Sequence, residues 1–78
     1  MNTFNSVFLA VKEYCSRNSE TPAGVNGFAE ISYKADVPFE KLDFYLSTLQ
    51  DLGLIKYSWV DKTVILTKFG KMQERLFA

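Results

Sequence analysis

Three acidic residues and one cysteine are the side chains of this sequence that could act as general acids, bases or nucleophiles. Glu40, Asp43 and Asp51 fall on one amphipathic segment, far in sequence from Cys15, and the chain has no histidine that could activate a nucleophile. The sequence also has no glycine-rich phosphate loop and no Cys, His or acid spacing typical of a metal site. We therefore expect a protein that is not an enzyme and needs no metal or cofactor, with Cys15 as a small core residue.

Composition predicts one small globular domain over residues 1–78. Apolar residues make up 47% of the chain and charged residues 23%, and the rings include seven Phe, four Tyr and one Trp. Such a small domain has little room for that many rings, which favours an exposed apolar contact surface or a dimer. A single cysteine excludes an internal disulfide, and no stretch reads as a membrane span or a leader. We expect a cytoplasmic protein without a membrane partner.

Apolar residues spaced by three and four predict an N-terminal helix of about four turns, capped by Asn2 or Thr3. Its apolar stripe comprises Phe4, Val7, Phe8, Val11, Tyr14 and Cys15. A loop containing Pro and Gly over residues 18–24 ends this helix. Asn26 is the expected cap of a short second helix over residues 27–34, and Val25 is expected to form a short strand that pairs with a later hairpin.

A third helix is predicted over residues 38–52. Asp36 is its expected cap, and Pro38 suits its first position because the missing N–H costs nothing there. Its buried stripe comprises Leu42, Tyr45, Leu46 and Leu49. Gly53 is expected to end the helix in a left-handed backbone conformation.

A β-hairpin is predicted next, followed by a last helix. A tip at Asp61 and Lys62 sets Tyr57 opposite Leu66, although an Asp-Lys tip favours a loop one or two residues wider. One face of the hairpin then carries Ile55, Tyr57, Trp59, Val64 and Leu66. Thr67 is the expected cap of a helix over residues 68–76, in which Gly70 costs about 1 kcal/mol relative to Ala.

Three short motifs carry a family resemblance: ISYKADVP at residues 31–38, LQDLGLI at 49–55 and LTKFGK at 66–71. In this order they resemble the turn, the recognition-helix end and the segment after the wing of winged helix-turn-helix proteins, nearest to MarR-like small bacterial transcriptional regulators. The resemblance implies an α+β winged helix, with a three-helix helix-turn-helix core, a two-stranded β-hairpin wing and a short C-terminal helix. It also implies a DNA-binding regulator that works as a homodimer. Asp36 departs from the usual turn glycine, and the wing is short without an arginine-rich tip.

The distribution of charge along the sequence disfavours the third helix as the main DNA-binding element. Residues 38–52 carry one lysine and three acids, a charge of −2, whereas residues 55–78 carry +3. Double-stranded DNA repels an acidic helix, so a contact led by the wing and last helix is expected to supply the attraction. The candidate DNA-contacting residues are Lys34, Phe39, Glu40, Lys41, Phe44, Lys56, Lys62 and Lys68.

The same charges leave a second function open. A winged helix that has lost DNA binding would act as a protein-interaction module, docking through Phe39 and Phe44 beside the acidic Asp43 and Asp51. For the DNA-binding function, the first and last helices are expected to pair across a two-fold axis in a homodimer. The candidate dimer residues are Phe4, Val7, Phe69, Leu76 and Phe77.

Overall fold

The structure, a computed structural model of the chain, describes residues 3–17 and 23–73. These residues form an α+β domain of three helices, a two-stranded antiparallel hairpin and a short helix, as the sequence predicts. The elements are, in order, α1 (Thr3–Arg17), α2 (Gly24–Ala35), α3 (Phe39–Asp51), β1 (Ile55–Ser58), β2 (Thr63–Leu66) and α4 (Lys68–Met72). Within the described ranges, no helix combines the length and apolar character that crossing a membrane requires.

One apolar core lies between the three long helices and the inner face of the hairpin. Its largest fully buried side chains are Val7, Phe8, Val11, Phe28, Ile31, Leu42, Leu46, Leu49 and Ile55. The predicted stripes of α1 and α3 are confirmed, with Tyr45 half-buried at the edge of its stripe. The hairpin lies between two helices, because β1 contacts α3 and β2 contacts α1.

The start of α2 lies three residues earlier than predicted. The helix begins at Gly24, so Asn26 is inside it and Val25 is helical and exposed, not part of a strand. No side chain caps this helix start. The Gly24 N–H instead donates to the carbonyl of Lys62 at 2.8 Å, so the hairpin supplies the acceptor that a local capping residue would otherwise provide.

One residue in a left-handed conformation precedes α3 and another follows it. Asp36, with φ 59°, ends α2, and its N–H donates to the Tyr33 carbonyl at 3.2 Å. The predicted role of Asp36 as the cap of α3 is therefore wrong, because Pro38 occupies that position. Gly53, with φ +80°, ends α3 as predicted.

The hairpin keeps the predicted faces but pairs two residues out of the predicted register. Tyr57 lies opposite Val64 and Ile55 opposite Leu66, and residues 59–62 form the loop. A shift of two residues leaves every side chain on its own face, because side chains alternate with a period of two. The wider loop releases Trp59 from the strand to pack on the helices.

Helix α4 begins as predicted and contains a glycine that the fold requires. Thr67 caps it by accepting a hydrogen bond from the Gly70 N–H at 2.9 Å. The helix ends at Met72, since Gln73 is extended, and residues 74–76 of the predicted helix lie outside the described residues. A Cβ at Gly70 would lie 2.0 Å from the Leu54 carbonyl oxygen. Gly70 is thus a position where α4 packs closely on Leu54, which the sequence does not indicate, and its propensity cost to the helix stays a prediction.

Candidate nucleic-acid interface

The tip of the hairpin packs against the start of α3. The Trp59 ring is half-buried, with its centroid 5.4 Å from that of Phe39 and 5.6 Å from that of Phe28. Phe39 is the first residue of α3, so this tilted ring contact places the first turn of α3 beside the loop at residues 59–62. Phe39 is half-buried and packs against the core together with Trp59, which does not suit its predicted role as an exposed docking residue for a partner protein.

Lys62 lies folded back on the tip instead of extending away from it. Its Nζ lies 4.1 Å from the centroid of the Trp59 ring and donates to the Trp59 carbonyl. Its backbone is left-handed, with φ 54°, which turns its carbonyl toward Gly24. An ammonium group has three N–H donors, so this arrangement leaves donors of Lys62 free for an incoming anion.

Lys34 belongs to an ion-pair network between α1 and α2. It pairs with Glu13 and lies 4.0 Å from Glu30, and Arg17 pairs with the same two acids. The Lys34 ammonium group, which hydrogen-bonds Glu13, lowers the pKa of that carboxyl. Acids of α1 and α2 thus offset the charge of Lys34, and the structure does not bring this residue to the surface formed by α3 and the hairpin.

Asp43 connects α3 to the hairpin. Its Oδ1 accepts a hydrogen bond from the Tyr57 hydroxyl at 2.5 Å, and Gln50 of the same helix accepts from the Tyr57 N–H at 3.0 Å. Burial and the neighbouring Asp43 carboxylate raise the pKa of Tyr57 to about 12. Asp43 is half-buried and holds the hairpin in place, which does not suit its predicted role as an exposed partner contact.

The outward side of α3 is mixed in charge. Glu40, Lys41, Phe44 and Asp51 are exposed. Lys41 forms no ion pair with any residue that the structure describes. Because Asp43 is turned toward Tyr57, the freely exposed acids of this helix are Glu40 and Asp51.

Two more candidate lysines lie on or beside the hairpin. Lys56 projects from the outer face of β1, opposite Ile65, and Lys68 is the first residue of α4. Both are exposed, and neither pairs with an acid in the described part of the chain. Among the described residues of this surface, the unpaired candidate lysines are therefore Lys41 on α3 and Lys56 and Lys68 on the hairpin and its flank.

An aromatic cluster occupies the surface between α1 and α3. The ring centroid of Phe4 lies 6.0 Å from that of Phe44 and 4.9 Å from that of Tyr45. Phe44 is 63% exposed, so the cluster presents a ring to solvent. Phe4 is half-buried here, so its predicted dimer contact could use only the part of its ring that Phe44 and Tyr45 leave exposed.

The other predicted dimer residues have different outcomes. Val7 is fully buried in the core of its own chain and offers no surface to a second copy, so its assignment is wrong. Phe69 is 51% exposed on α4. Leu76 and Phe77 lie outside the described residues.

Two residues that position this surface are missing from the sequence-based site. Trp59 is predicted on a strand face but lies in the loop at residues 59–62, and the poor Asp-Lys turn is the sequence signal for that wider loop. Gln50 carries no local signal, because its role depends on a strand seven residues later.

Among residues 3–17 and 23–73, no group of His, Cys, Asp and Glu is arranged to hold a metal ion. Comparisons with protein-family models, curated proteins and solved structures found no match to this chain.

Proposed function

We propose that this chain is a DNA-binding winged helix, a small transcriptional regulator without catalysis, in which α2 and α3 form the helix-turn-helix and the hairpin is the wing. The observation that carries the proposal is the tilted ring contact between Trp59 and Phe39, with centroids 5.4 Å apart, which joins the hairpin tip to the first turn of α3. Helix-turn-helix proteins read base edges with the first residues of their second helix. A tip fixed beside that turn would contact the flanking phosphates.

Charge divides the proposed contacts between the two elements. Lys56, Lys62 and Lys68 supply the phosphate contacts, since duplex DNA carries about one negative charge per 1.7 Å. On α3, Glu40 accepts from a cytosine amino group and Phe44 contacts a thymine methyl. The acidity of α3 reduces non-specific affinity, so binding depends on the lysines and weakens as salt rises.

Fluorescence anisotropy with a labelled mixed-sequence duplex, measured from low to moderate salt, tests the proposal. Lys56→Glu and Lys62→Glu are each expected to weaken binding about tenfold and to reduce the salt slope by about 1. Lys56 is the cleaner variant, because Lys62 also packs on Trp59 within the chain. Lys71→Glu is the matched control, since it makes the same charge change on the α1 side of the hairpin.

Two outcomes would overturn DNA binding. One is the absence of salt-dependent binding to any duplex by the folded chain. The other is an equal loss of affinity in Lys71→Glu, because a uniform loss would reflect net charge and not a surface built from α3 and the wing.

A second function, protein interaction, is favoured by the exposed ring of Phe44 in its cluster with Phe4 and Tyr45. Exposed aromatic anchors are typical of protein-binding surfaces. If this function is correct, Phe44→Ala abolishes association with a partner protein, and the chain fails to bind duplex at every salt concentration. Tyr33→Ala is the control, because Tyr33 is 86% exposed on α2 outside the cluster.

A further inference from the structure

A carboxylate and an aromatic ring lie one turn apart on the outward side of α3. Glu40 and Phe44 are separated by four residues, which places them about 6 Å apart along the helix axis and about 40° apart around it. The buried Leu42, Leu46 and Leu49 lie on the opposite side of the helix. The pair therefore points directly away from the core, and Phe44 is 63% exposed.

The two side chains are available in different ways. No lysine or arginine in the described part of the chain pairs with Glu40, so its carboxylate oxygens can accept hydrogen bonds from a ligand. The Phe44 ring is oriented by its neighbours, with its centroid 6.0 Å from that of Phe4 and 5.4 Å from that of Tyr45. One hydrogen-bond acceptor and one oriented apolar ring are thus presented side by side.

The bases of duplex DNA differ in the groups that they present to such a pair in the major groove. Cytosine and adenine present an amino donor, whereas thymine O4 and guanine O6 are acceptors that repel a carboxylate. Among the four bases, only thymine presents a C5 methyl group. No unmodified base therefore offers both a donor for Glu40 and a methyl group for Phe44. The modified base 5-methylcytosine offers both, on adjacent atoms of one ring.

We propose that Glu40 and Phe44 read one base together and that this base is 5-methylcytosine. The Glu40 carboxylate accepts from the N4 amino group, and the Phe44 ring packs on the C5 methyl group. Lys41 lies about 60° around the helix from Phe44 and is exposed, and it donates to O6 or N7 of the paired guanine. The inference rests on the proposed function and deepens it, since both contacts now fall on one modified base.

Fluorescence anisotropy with labelled mixed-sequence duplex pools tests the inference. Two pools are identical except that every cytosine of one is 5-methylated. We expect the chain to bind the methylated pool about fourfold more tightly, which corresponds to roughly 0.8 kcal/mol for one buried methyl group. A third pool has uracil in place of thymine and so lacks the thymine methyl group. We expect it to bind like the unmodified pool, because Glu40 already disfavours thymine O4.

Variants on α3 assign the preference to the pair. Phe44→Ala is expected to bind the methylated and unmodified pools equally. Glu40→Gln can donate to thymine O4, so it is expected to bind the thymine pool more tightly than the uracil pool. Asp51→Asn is the matched control, because it removes the same charge at an exposed position about 16 Å further along the helix. It should strengthen binding to every pool and leave the fourfold ratio, as should Tyr33→Ala leave it on α2.

The outcomes separate this inference from the proposed function. If the folded chain binds no pool, DNA binding is wrong and the inference with it. Equal binding of the methylated and unmodified pools overturns the 5-methylcytosine assignment alone. A loss from uracil as large as the gain from cytosine methylation also overturns it, because Phe44 would then read methyl groups without Glu40. If Phe44→Ala fails to fold, Glu40→Gln still decides the matter, since Glu40 is exposed and forms no ion pair within the described ranges.

Discussion

Replacing Gly70 by alanine sets helix propensity directly against packing. Alanine is worth about 1 kcal/mol more than glycine inside a helix, so α4 considered alone would gain stability. In the fold, the new Cβ would lie 2.0 Å from the Leu54 carbonyl oxygen, which also accepts from the Thr67 N–H at 3.0 Å. Overpacking typically costs about 1–3 kcal/mol, and loss of that hydrogen bond adds about 1 kcal/mol. We expect a net loss of about 2 kcal/mol.

Urea denaturation followed by the fluorescence of Trp59 and by circular dichroism measures this loss. With a slope near 1 kcal/mol per M, the midpoint of Gly70→Ala is expected to fall by about 2 M. Gly53→Ala is the comparison variant, since it has φ +80° but no atom within 4 Å of the new Cβ, and should lose only about 1 kcal/mol. Met72→Ala, at an exposed position on α4, should change little. If Gly70→Ala proves as stable as the parent chain or more so, the close approach of α4 to Leu54 is refuted.

Two further substitutions test how the hairpin is held. Trp59→Ala should destabilise the chain by about 2 kcal/mol, because it loses the ring contacts with Phe28 and Phe39. The loss is smaller than for a fully buried ring because Trp59 is half-buried, and an unchanged urea midpoint would contradict these contacts. Tyr57→Phe should cost about 1 kcal/mol at neutral pH by removing the hydrogen bond to Asp43. Since the pKa of Tyr57 rises from 10.0 to about 12 on folding, the unfolded chain loses this proton first, so stability present below pH 10 falls between pH 10 and 12. Denaturation midpoints against pH should show a shallower decline for Tyr57→Phe, and equal declines would argue against the Asp43 contact.

Local patterning predicted the parts of the fold that depend on neighbouring residues. The stripe of α3, the left-handed Gly53 and the Thr67 cap all follow from spacing and from residue type over a few positions. The start of α2 did not, because its acceptor is the carbonyl of Lys62, which is distant in sequence. The hairpin register was wrong by two residues since alternation cannot distinguish a shift of two, and only the packing of Trp59 on the helices selects the wider loop.

The sequence predicts which charged residues belong to the candidate site, but not which of them are free of ion pairs in the folded chain. Lys56, Lys62 and Lys68 were named from charge alone, and the structure places all three on the hairpin or its flanks. The engagement of Lys34 with Glu13 was not predictable, because the pair joins helices that approach only after folding. Whether a charged side chain is free or already paired is a property of the tertiary structure, and sequence spacing does not contain it.

The bond from Gly24 to Lys62, together with the ring contact between Trp59 and Phe39, means that folding itself orders the tip. Ordering a flexible side chain on association costs about 0.5–1.5 kcal/mol, and a loop that folding has already ordered avoids much of that cost. The Gly24 amide proton is then a single-residue reporter of tip opening. Its hydrogen-exchange rate should track separation of the hairpin from α2 and slow when a bound molecule restrains that motion.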